Sequence, residues 1–284
     1  MENQLQNKNI IVTGGSTGIG YETALGLAGM GASVWIVGRN ESKLARAVKS
    51  IIESTGNKNV DSFLTDLSSI QAIKELGQSI NTKLDHLDVL INNAGAFFMR
   101  RHKSVDGLEM TFALNHVNYF LLTHLLLDLL KQTGNARIVN VSSSAHFTGR
   151  VDFSDLQSEK GYSPMRVYGT SKLMNVLFTY ELERRLNGDG ITVNALHPGF
   201  VASNFGKSKG GLMIPIFSLF HLGAISTQEG AKTSIYLASS PDVDGVTGRY
   251  FDKCQAISSS KDSYDEAGAK RLWTETELLI GSHR

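Results

Sequence analysis

Asn9-Ile10-Ile11-Val12-Thr13-Gly14-Gly15-Ser16-Thr17-Gly18-Ile19-Gly20 is the stretch that decides the fold. A short apolar, β-branched run enters a glycine-rich turn, and a helical pattern follows through Ala28. Strand, glycine turn and helix in that order are the setting of a dinucleotide site. Gly14 permits the tight turn, Gly18 lets backbone approach a pyrophosphate, and Gly20 lets the new helix pack closely on the sheet. The helix start then offers unpaired N–H groups and a positive dipole end to phosphate. Ser16, Thr17 and Ile19 lie within the turn and join the expected contacts.

The rhythm repeats downstream. Strand-like runs stand at residues 33–37, 60–64, 89–91, 137–141 and 191–195. Between them, apolar residues recur at spacings of three and four, as in Leu44, Val48, Ile51 and Ile52, and again in Ile70, Ile73, Leu76 and Ile80. Asn40 and Ser69 stand where helix N-caps belong, and Ser226-Thr227-Gln228-Glu229 is a capping-box pattern. Strands alternating with helices predict βαβ units, a mostly parallel doubly wound sheet of about seven strands, and helices on both faces. Nothing reads as a linker or repeat, so residues 1–284 form one domain.

Two segments interrupt the pattern. Residues 144–166 are rich in Ser, Asp and Gly. Residues 203–226 are first Gly/Ser-rich, with Gly210-Gly211 as a possible hinge, and then apolar. Long irregular insertions in compact domains are commonly lids or binding loops. The second is read as a substrate lid, with a core or interface helix as the alternative.

Composition narrows the function classes. The chain has 28 Lys+Arg, 27 Asp+Glu and a net charge of +1 in 284 residues. No basic field is available for nucleic acid or an anionic membrane. One cysteine, Cys254, excludes a disulfide framework and a cysteine-rich metal site. Residues 1–9 carry no leader-like apolar run, and no stretch reaches the ~20 apolar residues of a membrane span. A cytoplasmic location is therefore expected, with no metal. Glycine, at 28 residues, is well above the usual ~7%.

The turn spacing, G-x-x-x-G-x-G after Thr13, resembles that of the short-chain dehydrogenase/reductase family. Five further landmarks follow along the chain. Asn92-Asn93-Ala94-Gly95 matches the family's N-N-A-G, and Asn115 falls where the family keeps an asparagine. Tyr168-Gly169-Thr170-Ser171-Lys172 matches its Y-x-x-x-K, and Pro198-Gly199 its P-G turn. Ser142-Ser143-Ser144 ends strand 5, where the family places a catalytic serine. The run from Arg137 to His146, the long stretch before Tyr168 and the tail from Gly248 resemble the retinol-dehydrogenase-like branch. The resemblance implies a Rossmann-type fold, with residues 8–200 as cofactor-binding and catalytic core. It also implies hydride transfer between a nicotinamide and a carbonyl/alcohol substrate, and a homodimer or homotetramer.

Chemistry gives the residues their roles. A tyrosine titrates near 10 and needs a cation to act as an acid–base catalyst at neutral pH. Tyr168 and Lys172, four apart, share a helix face. The resemblance makes Lys172 the cation and the holder of the nicotinamide ribose, Ser143 the donor to the substrate oxygen, and Asn115 the holder of a relay water. Ser142 and Ser144 rival Ser143, and Asn118 rivals Asn115. Ala145 and His146 are expected to face substrate. A loop histidine with a structural hydrogen bond is the alternative for His146. Strand 2 ends in Val37-Gly38-Arg39-Asn40 with no acid, which predicts NADP(H), because arginine can fork onto the extra phosphate. Asp66 and Leu67, then Asn93, Ala94 and Gly95, and finally Pro198, Gly199 and Val201 complete the expected cofactor contacts. The leading reading is an NADPH-dependent reductase of a lipophilic aldehyde or ketone. The alternative is an NADP(H)-binding sensor or scaffold without turnover. The family's sugar-nucleotide branch, with its T-G-x-x-G-x-x-G turn, fits less well.

Overall fold

The alternation becomes one sheet. The computed structural model describes residues 4–200 and 225–281. Strand β1 (Asn9–Thr13) leads to helix α1 (Gly18–Gly29), then β2 (Ser33–Gly38), α2 (Glu41–Thr55), β3 (Val60–Leu64), α3 (Ile70–Lys83) and β4 (Val89–Asn92). A continuous helical run follows. It comprises α4 (Met110–Phe112), a π-helical turn at Ala113–Val117 and α5 (Asn118–Thr133). Then come β5 (Arg137–Val141), a 3₁₀ turn at Ser144–Thr148, α6 (Pro164–Arg185) and β6 (Thr192–Leu196). Helix α7 (Thr227–Ser239), strands β7 (Arg249–Asp252) and β8 (Gln255–Ile257) and helix α8 (Glu266–Gly281) complete the described chain.

The strand order is β3-β2-β1-β4-β5-β6-β7-β8, parallel except for the last pair. Order reverses between β1 and β4, where such sheets open their ligand crevice. Alternation along each strand divides the core. In β1, Ile11 packs with α3, α5 and α6, while Ile10 and Val12 pack with α1 and α2 on the other face. The i, i+3, i+4 pattern of α3 is buried as expected. Ile70, Ile73, Leu76 and Ile80 are each at most 3% exposed, which stabilises the fold by about 2 kcal/mol apiece before chain entropy. Asn40 and Ser69 cap α2 and α3 through bonds from the Lys43 and Ala72 N–H groups, and Ser226 caps α7 from Glu229.

Among the described residues the sheet has eight strands, close to the expected number of about seven. The extra one is an antiparallel edge strand reached by a two-residue turn at Lys253 and Cys254, with φ of 47° and 62°. Such a turn normally announces itself with Asn or Gly. Here it does not, and β8 is exposed throughout, so it lacks an apolar signature. Of the expected lid at residues 203–226, all but Ile225 and Ser226 lie outside the described residues, as does Val201.

Candidate active site

The two central strands are tied at their C-terminal ends by one threonine and one asparagine. Thr13 Oγ1 accepts from the N–H groups of Asn93 and Ala94 at 2.8 and 3.0 Å, and itself donates to the Ile91 carbonyl. Asn93 Nδ2 returns a bond to the Thr13 carbonyl at 2.8 Å. The glycines between them are sterically required. A Cβ on Gly14, at φ 67°, would stand 3.0 Å from Ala94 Cα, and one on Gly20 would stand 2.4 Å from the Gly14 carbonyl. A Cβ on Gly18, at φ 61°, would meet nothing within 4 Å, so that residue faces open space.

Helix α1 begins there without a side-chain cap: Thr17 accepts no hydrogen bond from the first turn. Its first turn lines a cleft of about 650 Å³ and leaves its leading N–H groups without a side-chain cap. Ser16, Thr17, Gly18, Ile19 and Gly20 form one wall of this cleft. Arg39 and Asn40, after β2, line its far end, with Asp66 and Leu67 after β3. Asn93, Ala94 and Gly95 form the floor, and Tyr168, Lys172 and Pro198 close the near end. Gly199, at φ 81°, lies beside Ile225 and is not among the lining residues. Two polar side chains also hold local structure. Asn40 Oδ1 caps α2, and Asp66 accepts from the Ser68 N–H and hydroxyl. The cleft matches the size of a cofactor site, and its row of free N–H groups suits a diphosphate.

Lys43 was not anticipated and lines the same end as Arg39. It stands four residues after Arg39, in the first turn of α2, and that spacing is the available signal. Phe97 and Phe98 also line the cleft, and the Phe97 ring meets Tyr168 edge-on at 5.6 Å.

Burial separates the rival serines. Ser142 is buried, lines the cleft and donates to the Lys172 carbonyl at 2.8 Å, Ser144 is exposed, and Ser143 is half-buried and not among the lining residues. Ser143 Oγ accepts from the Ala145 N–H at 3.1 Å and hydrogen-bonds the Tyr168 hydroxyl. The rival asparagines part likewise. Asn118 is buried in the core and reaches only the Leu114 carbonyl, while Asn115 sits in the π-helical turn beside Gly95. Asn115 Oδ1 accepts from the Ala96 N–H, and Nδ2 donates to the Ala96 carbonyl and Ser171 Oγ. A Cβ on Gly95 would stand 3.2 Å from Asn115 Oδ1 and 3.3 Å from Lys172 Nζ, so this glycine keeps the two groups in reach of one space.

The electrostatics differ from the expectation in one respect. Burial pushes the Tyr168 phenol up to about 12, against a smaller opposing effect of the Ser143 hydrogen bond. Burial also lowers the Lys172 ammonium to about 7, and its Nζ donates to the Val141 carbonyl at 3.0 Å. The anticipated lowering of Tyr168 by Lys172 is therefore absent here, because desolvation penalises both charged forms.

His146 takes the second of its two expected places, with structural hydrogen bonds and not toward the cleft. It has no exposed surface and does not line the cleft, and both ring nitrogens bind groups of the protein. Ala145 contributes its N–H to Ser143. Among the described residues no cluster of His, Cys, Asp and Glu could hold a metal, and no helix is long and apolar enough to cross a membrane.

Residues 8–211 match the family model described as short chain dehydrogenase. Retinol dehydrogenase 13 of Homo sapiens is 41% identical over 284 residues, spanning 98% of this chain and 86% of that protein. Retinol dehydrogenase 14 of Mus musculus is 40% identical over 290 residues, with 98% and 87% covered. The solved structure of an uncharacterized protein from Mycobacterium Paratuberculosis matches with a TM-score of 0.79 at 30% identity, over 97% of this chain and 94% of its own. A glycine-turn cleft, a Tyr/Lys pair on one helix and this kinship point the same way: the chain belongs to the short-chain dehydrogenase/reductase family, in its retinol-dehydrogenase-like branch, and is an oxidoreductase that uses a nicotinamide dinucleotide.

Proposed function

We infer that the protein is an NADPH-dependent reductase of a lipophilic aldehyde or ketone, acting reversibly through Ser143, Tyr168, Lys172 and Asn115. The observation that carries this reading is that Tyr168 and Lys172, one helical turn apart on α6, both line the cleft, with Ser143 against the Tyr168 hydroxyl. Two donors converge there, as a carbonyl oxygen gaining negative charge requires. When bound, the reduced nicotinamide supplies the hydride. Tyr168, with its phenol near 12, holds its proton at neutral pH and can hand it to the substrate oxygen. Ser143 orients that oxygen. Lys172, near 7, can replace the Tyr168 proton, and Asn115, held by Ala96 and Ser171, keeps the space behind Lys172 ordered.

The preference for NADPH is supported by Arg39 and Lys43, two cations at one end of the cleft with no acid after β2. A lipophilic substrate is supported by Phe97 and Phe98 in the cleft wall and by the retinol dehydrogenases among the relatives. The test is oxidation of NADPH and of NADH, followed by absorbance, with all-trans-retinal, decanal and acetophenone. Turnover with NADPH on at least one of them is expected. Binding of NADPH with no turnover on any carbonyl compound would favour a sensor instead.

A further inference from the structure

His146 follows Ser143 by three residues, in the 3₁₀ turn after β5. Histidines in turns are usually at least partly exposed, yet this one is fully buried. Its Nδ1 lies 2.7 Å from the Ser143 carbonyl and 3.2 Å from the Tyr250 hydroxyl, and its Nε2 lies 3.0 Å from the Ser260 nitrogen.

These partners determine where the ring proton sits. A backbone N–H can only donate, so Nε2 facing Ser260 must be the bare acceptor. In a neutral imidazole the proton is then on Nδ1, where it donates to the Ser143 carbonyl. Burial holds the ring below its ordinary pKa, in keeping with the neutral form.

The Ser143 carbonyl also accepts the backbone N–H of His146 at 3.0 Å. One residue thus supplies two donors to one oxygen and holds the peptide plane after Ser143. Ser143 itself is extended, at φ −163° and ψ 154°. The same plane aims Oγ at the Ala145 N–H and the Tyr168 hydroxyl. The far side of the clamp is anchored as well. Tyr180, on the helix that carries Tyr168, bonds Ser259 at 2.7 Å, Ser259 bonds Ser263 at 2.6 Å, and the Ser259 N–H donates to Tyr264. Both ends of the clamp therefore refer back to α6.

We propose that His146 is a positioning residue for the Ser143 hydroxyl: it clamps the Ser143 carbonyl through Nδ1, in a tautomer imposed by Ser260, and so makes the segment from β7 to Tyr264 a working part of the active site. This rests on Ser143 and Tyr168 acting on substrate as read above.

Three variants separate positioning from space-filling. His146→Asn places an amide N–H where Nδ1 stands and offers nothing to Ser260. His146→Gln extends an acceptor toward Ser260 and leaves the carbonyl with the backbone N–H of residue 146 alone, and His146→Ala removes both side-chain contacts. With NADPH and decanal, kcat is expected to fall about 100-fold in the alanine and glutamine variants, with the KM for NADPH unchanged and asparagine recovering most of the loss. The ¹⁵N spectrum of the unmutated protein should show His146 protonated on Nδ1, and a crystal structure of His146→Ala should show Ser143 Oγ drawn away from Tyr168. Unchanged kcat in all three variants, or an Nε2–H tautomer, overturns the proposal. So does an equal fall in all three, asparagine included, together with lost NADPH affinity and a lowered Tm. If the unmutated protein reduces neither decanal, retinal nor acetophenone, the functional reading fails, and the ¹⁵N spectrum and the alanine structure still decide the clamp.

Discussion

The two ends of the cleft are built in different ways. At the end between β1 and α1, the groups on offer are backbone N–H donors, and the side chains mostly have to be absent. Helix α1 leaves its first turn uncapped, whereas α2 and α3, on the same sheet, cap theirs with Asn40 and Ser69. At the Tyr168 end the working groups are side chains, and burial sets their chemistry. Backbone geometry is local and robust to distant change. Side-chain acidity is a tertiary property and depends on what packs around it.

The sharpest way to separate the two ends is Tyr168→Phe. Turnover should fall about 10³-fold or more, while NADPH affinity, by fluorescence titration, stays near the unmutated value. Retained activity would mean that the chemistry does not depend on this phenol. Arg39→Asp addresses the binding end. Losing a charge-assisted bond to phosphate should raise the KM for NADPH by roughly 10–100-fold and bring NADH level with it or ahead. Equal use of both cofactors by the unmutated enzyme would refute the Arg39 assignment.

Gly20→Ala tests whether the turn works by exclusion. Its Cβ meets the Gly14 carbonyl at 2.4 Å, so the turn must shift. Stability should drop by about 1–3 kcal/mol in denaturant unfolding, and NADPH should bind more weakly. Lys172→Met tests the Tyr168 end through stability, and its effect depends on pH. In the fold the ammonium is depressed from 10.5 to about 7. Between those values the unfolded chain holds the extra proton, so stability rises with pH across that window and is lost as pH falls toward 7. The variant should remove that slope, of roughly 1 kcal/mol per pH unit, as read from unfolding midpoints at pH 7 to 10. Tyr168 contributes in the opposite sense only above pH 10, where the unfolded phenol ionises.

Much of the fold and part of the site were legible beforehand, for identifiable reasons. The six strands and their helices follow from apolar spacing, and the α2, α3 and α7 caps from residue type at helix starts. The hairpin from β7 to β8 was not legible, because Lys253 and Cys254 take positive φ without the residues that usually signal it. Lys43 was missed because a lysine in the first turn of an amphipathic helix looks like any solvated charge. The sequence leaves His146 between substrate and a structural hydrogen bond, because only the chain more than a hundred residues away shows what its second nitrogen binds.

The sequence by itself determined the β1–turn–α1 unit, since glycine's lack of a Cβ and the 3.6-residue period act within a dozen residues. It also determined the order of strands and helices, and with it the parallel sheet and its crevice. Only the tertiary structure decided which of three adjacent serines meets Tyr168, which asparagine stands beside Gly95 and Lys172, in which direction burial moves both titrations, and which groups the two His146 nitrogens face. Those outcomes rest on dielectric surroundings and on partners brought together from distant parts of the chain, and neither is written in local spacing.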